Sequence, residues 1–182
     1  SMITGRYMHT ATRLNDGRVL VIGGKSSGYM NSTEIYDPKK DTWGQAASMT
    51  SARGYPTATL LHDGRVLVCG GYKWGSYYSS VEIYNPVTDT WLLSNSMASG
   101  RVYHTATLLD DCRVRVTGGV SGRIDATVNS DYIFPDSEEI YDPKSNKWST
   151  LGAMGSPRSY HTANLRTDGT VLITGGDTND SY

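Results

Sequence analysis

Four Gly-Gly pairs, three tryptophans and three Glu-Ile-Tyr-Asp/Asn-Pro strings recur at matched intervals along the 182 residues. They predict an all-β chain made of copies of one four-stranded unit, arranged as the blades of a β-propeller. The Gly-Gly pairs stand at 23–24, 70–71, 118–119 and 175–176, so successive intervals are 47, 48 and 57 residues. Trp43, Trp91 and Trp148 repeat at the last two of these intervals, as do the strings that begin at Glu34, Glu82 and Glu139. Composition agrees: 20 Gly, 13 Tyr and 4 Trp against a single Phe describe strands and turns rather than helices.

The elements follow in order within each unit. A shared block reads RYMHTATRLNDGRVLVIGG from Arg6, RGYPTATLLHDGRVLVCGG from Arg53, RVYHTATLLDDCRVRVTGG from Arg101 and RSYHTANLRTDGTVLITGG from Arg158. It holds two short strands, such as His104–Leu109 and Val66–Cys69, joined at Asp-Gly. That dipeptide predicts a type I′ hairpin, which needs positive φ at both central residues. In the third unit the dipeptide is Asp111-Cys112, and cysteine lacks glycine's freedom, so a different or strained turn is expected there. The third strand ends at Tyr-Asp/Asn-Pro, where proline sets the first corner of a turn, and the fourth begins near each Trp. The units span approximately 6–48, 53–96, 101–153 and 158–182 of a single segment, 1–182. This is about 3.5 four-stranded blades, or fourteen strands, the fourth unit having only its two inner ones. Such an arc leaves an apolar flank open. A longer protein, or a second copy meeting this one as a homodimer across a two-fold axis, would complete the ring; both stay open.

The Gly-Gly pair, the Tyr-Asp-Pro and the Trp that follows it resemble the kelch motif, over nearly the whole chain. The resemblance implies a propeller of four-stranded blades around a central channel.

Composition excludes several function classes. The formal net charge is −1, from 17 basic and 18 acidic residues, so nothing points to nucleic acid or an anionic membrane surface as partner. No stretch approaches the ~20 apolar residues of a membrane helix. The Gly-Gly pairs are not phosphate loops, because no GxxxxGK[ST] is present. Cys69 and Cys112 fall at opposite ends of strands and are not expected to pair.

Strand direction assigns the loops. The Arg-x-Tyr-His segments and the loops after Gly-Gly share one face, and the Asp-Gly turns share the other. The first face carries an Arg column (Arg6, Arg53, Arg101, Arg158) and a Tyr column (Tyr55, Tyr103, Tyr160, with Met8 in the first unit). A His column (His9, His104, His161) has Pro56 in the second unit. Residues repeated in every unit can serve the blade as well as a ligand. Non-repeated features speak more directly of function. These are the loop 72–78, with Tyr72, Lys73, Trp74, Tyr77 and Tyr78, and the insertion 120–137, with Arg123, Asp125 and Tyr132. Tyr and Trp give contact area at low entropic cost, and Arg forks onto carboxylates. The expected activity is non-catalytic binding of a protein, peptide or glycan, with no cofactor.

A second resemblance supplies the alternative, a copper-radical oxidase of the galactose oxidase type. Arg53-Gly54-Tyr55 with Trp74 resembles the segment bearing that family's cross-linked Tyr and the Trp stacked on it. Tyr103-His104 and Tyr160-His161 resemble its adjacent Tyr-His ligand pair. The departure is the thiol: Tyr7-Met8-His9-Thr10, where the cross-linking Cys would fall, has none.

Overall fold

The structure, a computed structural model, describes residues 1–123, 132–135 and 137–178. All its regular elements are strands. The first blade is β1 (Thr10–Arg13), β2 (Val19–Ile22), β3 (Thr33–Asp37) and β4 (Thr42–Ala46) in spatial order, all antiparallel. The second is β5 (Thr57–Leu60) and β6 (Val66–Cys69), then a small hairpin β7 (Tyr72–Lys73) and β8 (Ser76–Tyr77), then β9 (Val81–Asn85) and β10 (Thr90–Ser94). The third is β11 (Thr105–Leu108) and β12 (Val114–Thr117), a second small hairpin β13 (Gly122–Arg123) and β14 (Tyr132–Ile133), then β15 (Ser137–Asp142) and β16 (Lys147–Ala153). After β17 (Arg158–Ser159), the fourth unit is β18 (Thr162–Leu165) paired with β19 (Val171–Thr174), and β20 (Asp177–Thr178) pairs back onto β17. The fourteen blade strands are those expected from the sequence. The other six form because the loops after Gly-Gly, and the segment before β18, find short ladders of their own.

The inner strands β1, β5, β11 and β18 are successive neighbours, which is the propeller arrangement. The apolar core lies between blades rather than within one. Along β6 the side chains alternate: Val66 and Val68 pack with Leu20 and Ile22 of the first blade, while Leu67 and Cys69 pack with Val114 and Val116 of the third. A strand covered on both faces therefore reads as the unbroken apolar run Val-Leu-Val-Cys rather than an alternating one.

The outer half of each blade is tied by the Tyr and Trp columns. Tyr36–Trp43, Tyr84–Trp91 and Tyr141–Trp148 pack at centroid distances of 5.1, 5.1 and 5.0 Å. The Trp91 indole donates to Ala47 O of the preceding blade at 2.7 Å, and Trp148 to Asn95 O at 2.8 Å. The Tyr84 hydroxyl donates to Asp89, which sits at φ 51° with Asp41 and Asn146 at matching positions. Asp and Asn tolerate this left-handed conformation better than other side chains.

The Asp-Gly turns correct the sequence reading. Gly64 N–H donates to Leu61 O and Leu61 N–H to Arg65 O, and only Gly64 has positive φ. This is a type I turn closed by a left-handed glycine bulge, not a type I′ turn. The Asp63 carboxylate explains the preference, since it accepts from the Arg65 amide and pairs with its guanidinium. The third unit keeps the same turn, with Leu109, Cys112 and Arg113 in the same roles, and so Cys112 is held at φ 72°. The expected strain is there; a different turn is not. Both cysteines are free thiols, Cys69 buried and Cys112 exposed.

Candidate functional site

The Arg column is the frame of the loop face. Arg53 is fully buried, donating to Gly70 O at 2.8 Å, Ser80 O at 2.9 Å and Glu82 Oε1 at 2.9 Å. Arg6 meets Glu34, and Arg101 meets Glu139, in the same way. The Glu carboxylates in turn accept backbone amides of the incoming strand connection: Ile3 and Thr4, Thr50 and Ser51, and Ala98. Arg53 and Arg101 therefore brace each blade to the chain arriving from its neighbour, and they offer no guanidinium to a ligand. Arg158 is half-buried and, among the described residues, reaches Gly175 O at 2.9 Å and more loosely Ser156 O.

His104 and His161 of the His column are also structural, whereas His9 is exposed. His104 is buried, with Nε2 on Thr57 Oγ1 at 2.9 Å across the blade boundary, and His161 repeats the contact to Thr105 at 3.0 Å. A Cβ on Gly70, at φ 64°, would lie 2.6 Å from the His104 ring and 2.5 Å from Arg101 O, so only glycine admits this packing. Burial holds His104 neutral, lowering its pKa to about 3, and lowers His161 as well. Pro56 takes the position in the second unit and is buried in its stead. Of the 72–78 loop, Tyr78 packs inward over the Arg53 guanidinium at 5.1 Å.

What remains on the face is a tyrosine-lined cleft of about 640 Å³. Tyr55 and Tyr103 enter it from the repeated column, Tyr72 and Tyr77 from the β7–β8 hairpin, and Tyr132 from β14. Met8, Tyr55, Tyr103 and Tyr160 all sit at φ between 54° and 59°. This backbone turn lets the Tyr55 amide donate to Met8 O at 2.7 Å and the Tyr160 amide to Tyr103 O at 3.1 Å, across successive blades. Bulky residues are rarely held there, and such strain clusters at functional positions. The rings line up accordingly: Tyr55–Tyr103 at 4.7 Å and Tyr103–Tyr160 stacked at 4.0 Å. Burial, with hydrogen bonds to Tyr160 and Tyr55, pushes the Tyr103 pKa up, so it stays a neutral phenol.

The β7–β8 hairpin holds the type I′ turn that the Asp-Gly sites lack. Trp74 and Gly75 have φ of 47° and 86°, and Trp74 stands 72% exposed at the tip, beside Lys73 at 4.7 Å. Arg123 lies in β13 opposite Tyr132. Asp125 lies outside the described residues.

Tyr29 was not singled out in the sequence, yet it lines the cleft, 5.9 Å from Tyr72 and 6.0 Å from Trp74. Its ring lies against Gly54, whose lack of a side chain makes the room. It is the first-blade counterpart of Tyr77, since Met30 and Tyr78 follow them and make the same amide bonds to Gly24 O and Gly71 O. The loop is one residue shorter in the first unit, and that offset conceals the match.

Of the oxidase-like residues, Tyr55, Tyr103 and Tyr160 pack ring to ring, but His104 does not join them in the cleft. His104 Nε2 is spent on Thr57, the Tyr103 hydroxyl bonds to other tyrosines, and Cys69 is inside the core, its thiol pushed up to about 12 by burial. The copper centre of that resemblance does not assemble from these side chains.

Four-stranded antiparallel blades joined edge to centre, with their loops framing a cleft on one face, define a kelch-type β-propeller. The model of the Attractin/LZTR1 beta-propeller family matches residues 1–182, and the chain belongs to that family. Its fold is shared with many solved structures, among them "Structure of YjhT", at a TM-score of 0.78 and 16% identity over 94% of this chain. The match covers 59% of that chain's length. No curated protein matches the sequence.

Proposed function

We propose that the protein is a non-catalytic binding module whose ligand, a peptide, a partner protein or a glycan, sits in the tyrosine cleft on the loop face. One observation carries this reading. Once Arg53, Arg101, His104 and Tyr78 are assigned to the scaffold, the remaining conspicuous aromatics meet in a single cleft, under an exposed Trp held in a strained turn. Family membership supports a propeller module in general. Loops on a rigid scaffold are where propeller-like folds place recognition, and a cleft of this volume falls in the ~300–1,000 Å³ range of ligand sites.

The test is a random-peptide display library and an oligosaccharide array, each run against the wild type, Trp74→Ala and Tyr103→Ala. Hits from either source should be lost on both variants while near-ultraviolet circular dichroism shows the fold intact. Hits that both variants retain would move the site away from the cleft.

A further inference from the structure

The chemistry of the cleft wall selects among ligands. Its described lining holds no Asp, Glu, Lys, Arg, Asn, Gln or His; it is made of tyrosines with Met8, Val102, Ser121 and two glycines. A charged peptide side chain brought into it would give up water without a direct ion pair in the described wall, and the Tyr29 and Trp74 rings already carry the Lys25 and Lys73 ammonium groups at 5.3 and 4.7 Å. A sugar presents a dense set of hydroxyls, which carboxylates and amides satisfy best, and the described lining meets them only with phenol and Ser121 hydroxyls.

The wall offers steeply inclined aromatic faces and hydrogen-bond donors. Tyr29 and Tyr72 meet at 69°, Tyr72 and Tyr77 at 68°, and Tyr55 and Tyr103 at 63°. Rings inclined this way leave notches between them instead of one flat platform. The hydroxyls of Tyr29 and Tyr72 and the indole N–H of Trp74 make no hydrogen bond to any described residue. Burial raises the Tyr29 pKa, so its hydroxyl keeps the proton it would donate.

We propose that the cleft receives a proline-rich peptide segment in the polyproline II conformation, its pyrrolidine rings seated in the notches between tyrosines and its carbonyls accepting from Tyr29, Tyr72 and Trp74. The proposal rests on the cleft being the binding site. Polyproline II has no internal hydrogen bonds, so every carbonyl is an unpaired acceptor, and proline brings no N–H that would need an acceptor in the wall. Hydrogen-bond donors that have no partner within the protein, set among aromatic rings, complement that backbone. The helix is also preformed, so little ordering entropy is lost on docking.

The experiment is fluorescence anisotropy with a fluorescein-labelled decaproline peptide and a Gly-Ser decapeptide of equal length. Decaproline should bind at least ~10-fold more tightly than the Gly-Ser peptide. Tyr29→Phe and Tyr72→Phe, which keep the ring and remove the hydroxyl, should each weaken binding ~5-fold, the scale of one hydrogen bond. Trp74→Ala should abolish it, and Leu92→Ala, on the outer edge of the second blade, should leave it unchanged. Equal affinity for the two peptides, or unchanged binding by both Phe variants, overturns the proposal. Trp74-dependent library or oligosaccharide hits without proline would overturn the peptide class while leaving the cleft as the site. Loss of Trp74 dependence would overturn the site itself.

Discussion

The second blade and the fourth unit are written in nearly the same letters and end in different physical states. Val66–Cys69 is buried on both faces of its sheet, whereas Val171–Thr174 is covered on one, so Leu67 is 0% exposed and its counterpart Leu172 is 47% exposed. Arg53 has Glu82 inside the protein, whereas Arg158 has no carboxylate partner among the described residues. A blade in this fold is therefore not a self-sufficient unit. Its stability comes from the neighbours on either side, as in repeat proteins generally.

The largest test of this contrast is the buried ion pair. Glu82→Ala leaves the Arg53 guanidinium charged and unpaired in the interior, and it should cost about 3–5 kcal/mol in urea unfolding. Arg158→Ala should cost less than about 1 kcal/mol. Similar losses at the two sites would mean that burial and pairing do not distinguish the two arginines. Next come the paired leucines. Leu67→Ala should lose about 2–5 kcal/mol through the cavity it leaves, and Leu172→Ala should lose under about 1 kcal/mol.

A third test uses pH. The pKa of His104 falls from 6.5 to about 3 on folding, so the unfolded chain takes up its proton first as acid is added. Its contribution is complete above about pH 6.5 and declines as pH falls towards 3, at up to about 1.4 kcal/mol per pH unit. His161 is lowered in the same direction and adds to the slope. His104→Gln should flatten the stability curve between pH 4 and 6.5 while leaving the decline due to His161; an unchanged curve would remove His104 as the cause. The smallest effect is expected at the third unit's turn. Cys112→Gly relieves a side chain held at φ 72° and should stabilise by about 1 kcal/mol, seen as a raised urea midpoint.

Much of the fold could be read directly. Val66–Cys69 is the strand that the repeat delimits, and β9 ends at Tyr84-Asn85 while β10 begins just before Trp91, as expected. The Asp-Gly turns were placed correctly and typed wrongly. Type I′ hairpins and bulged type I turns both favour Gly, and the carboxylate bond from Asp63 to the Arg65 amide decides between them. The candidate site was legible only in part. Tyr55, Tyr72, Tyr77, Tyr103 and Tyr132 do meet in one cleft, but the Arg column does not join them. A signal for that existed in the sequence. Each of the first three units that holds the Arg also holds the Glu opening Glu-Ile-Tyr, and the fourth unit has the Arg alone.

The period, the strands and the face on which each loop emerges are written in the residues of a single unit, because they follow from alternation, turn residues and strand direction. Which repeated side chains become scaffold and which stay on the surface is set by packing between distant parts of the chain. That depends on contacts such as Arg53 with Glu82 or His104 with Thr57, made between residues 29 and 47 positions apart. Whether a polar group is buried and paired there, or left facing the cleft, is settled by the neighbouring strand or blade.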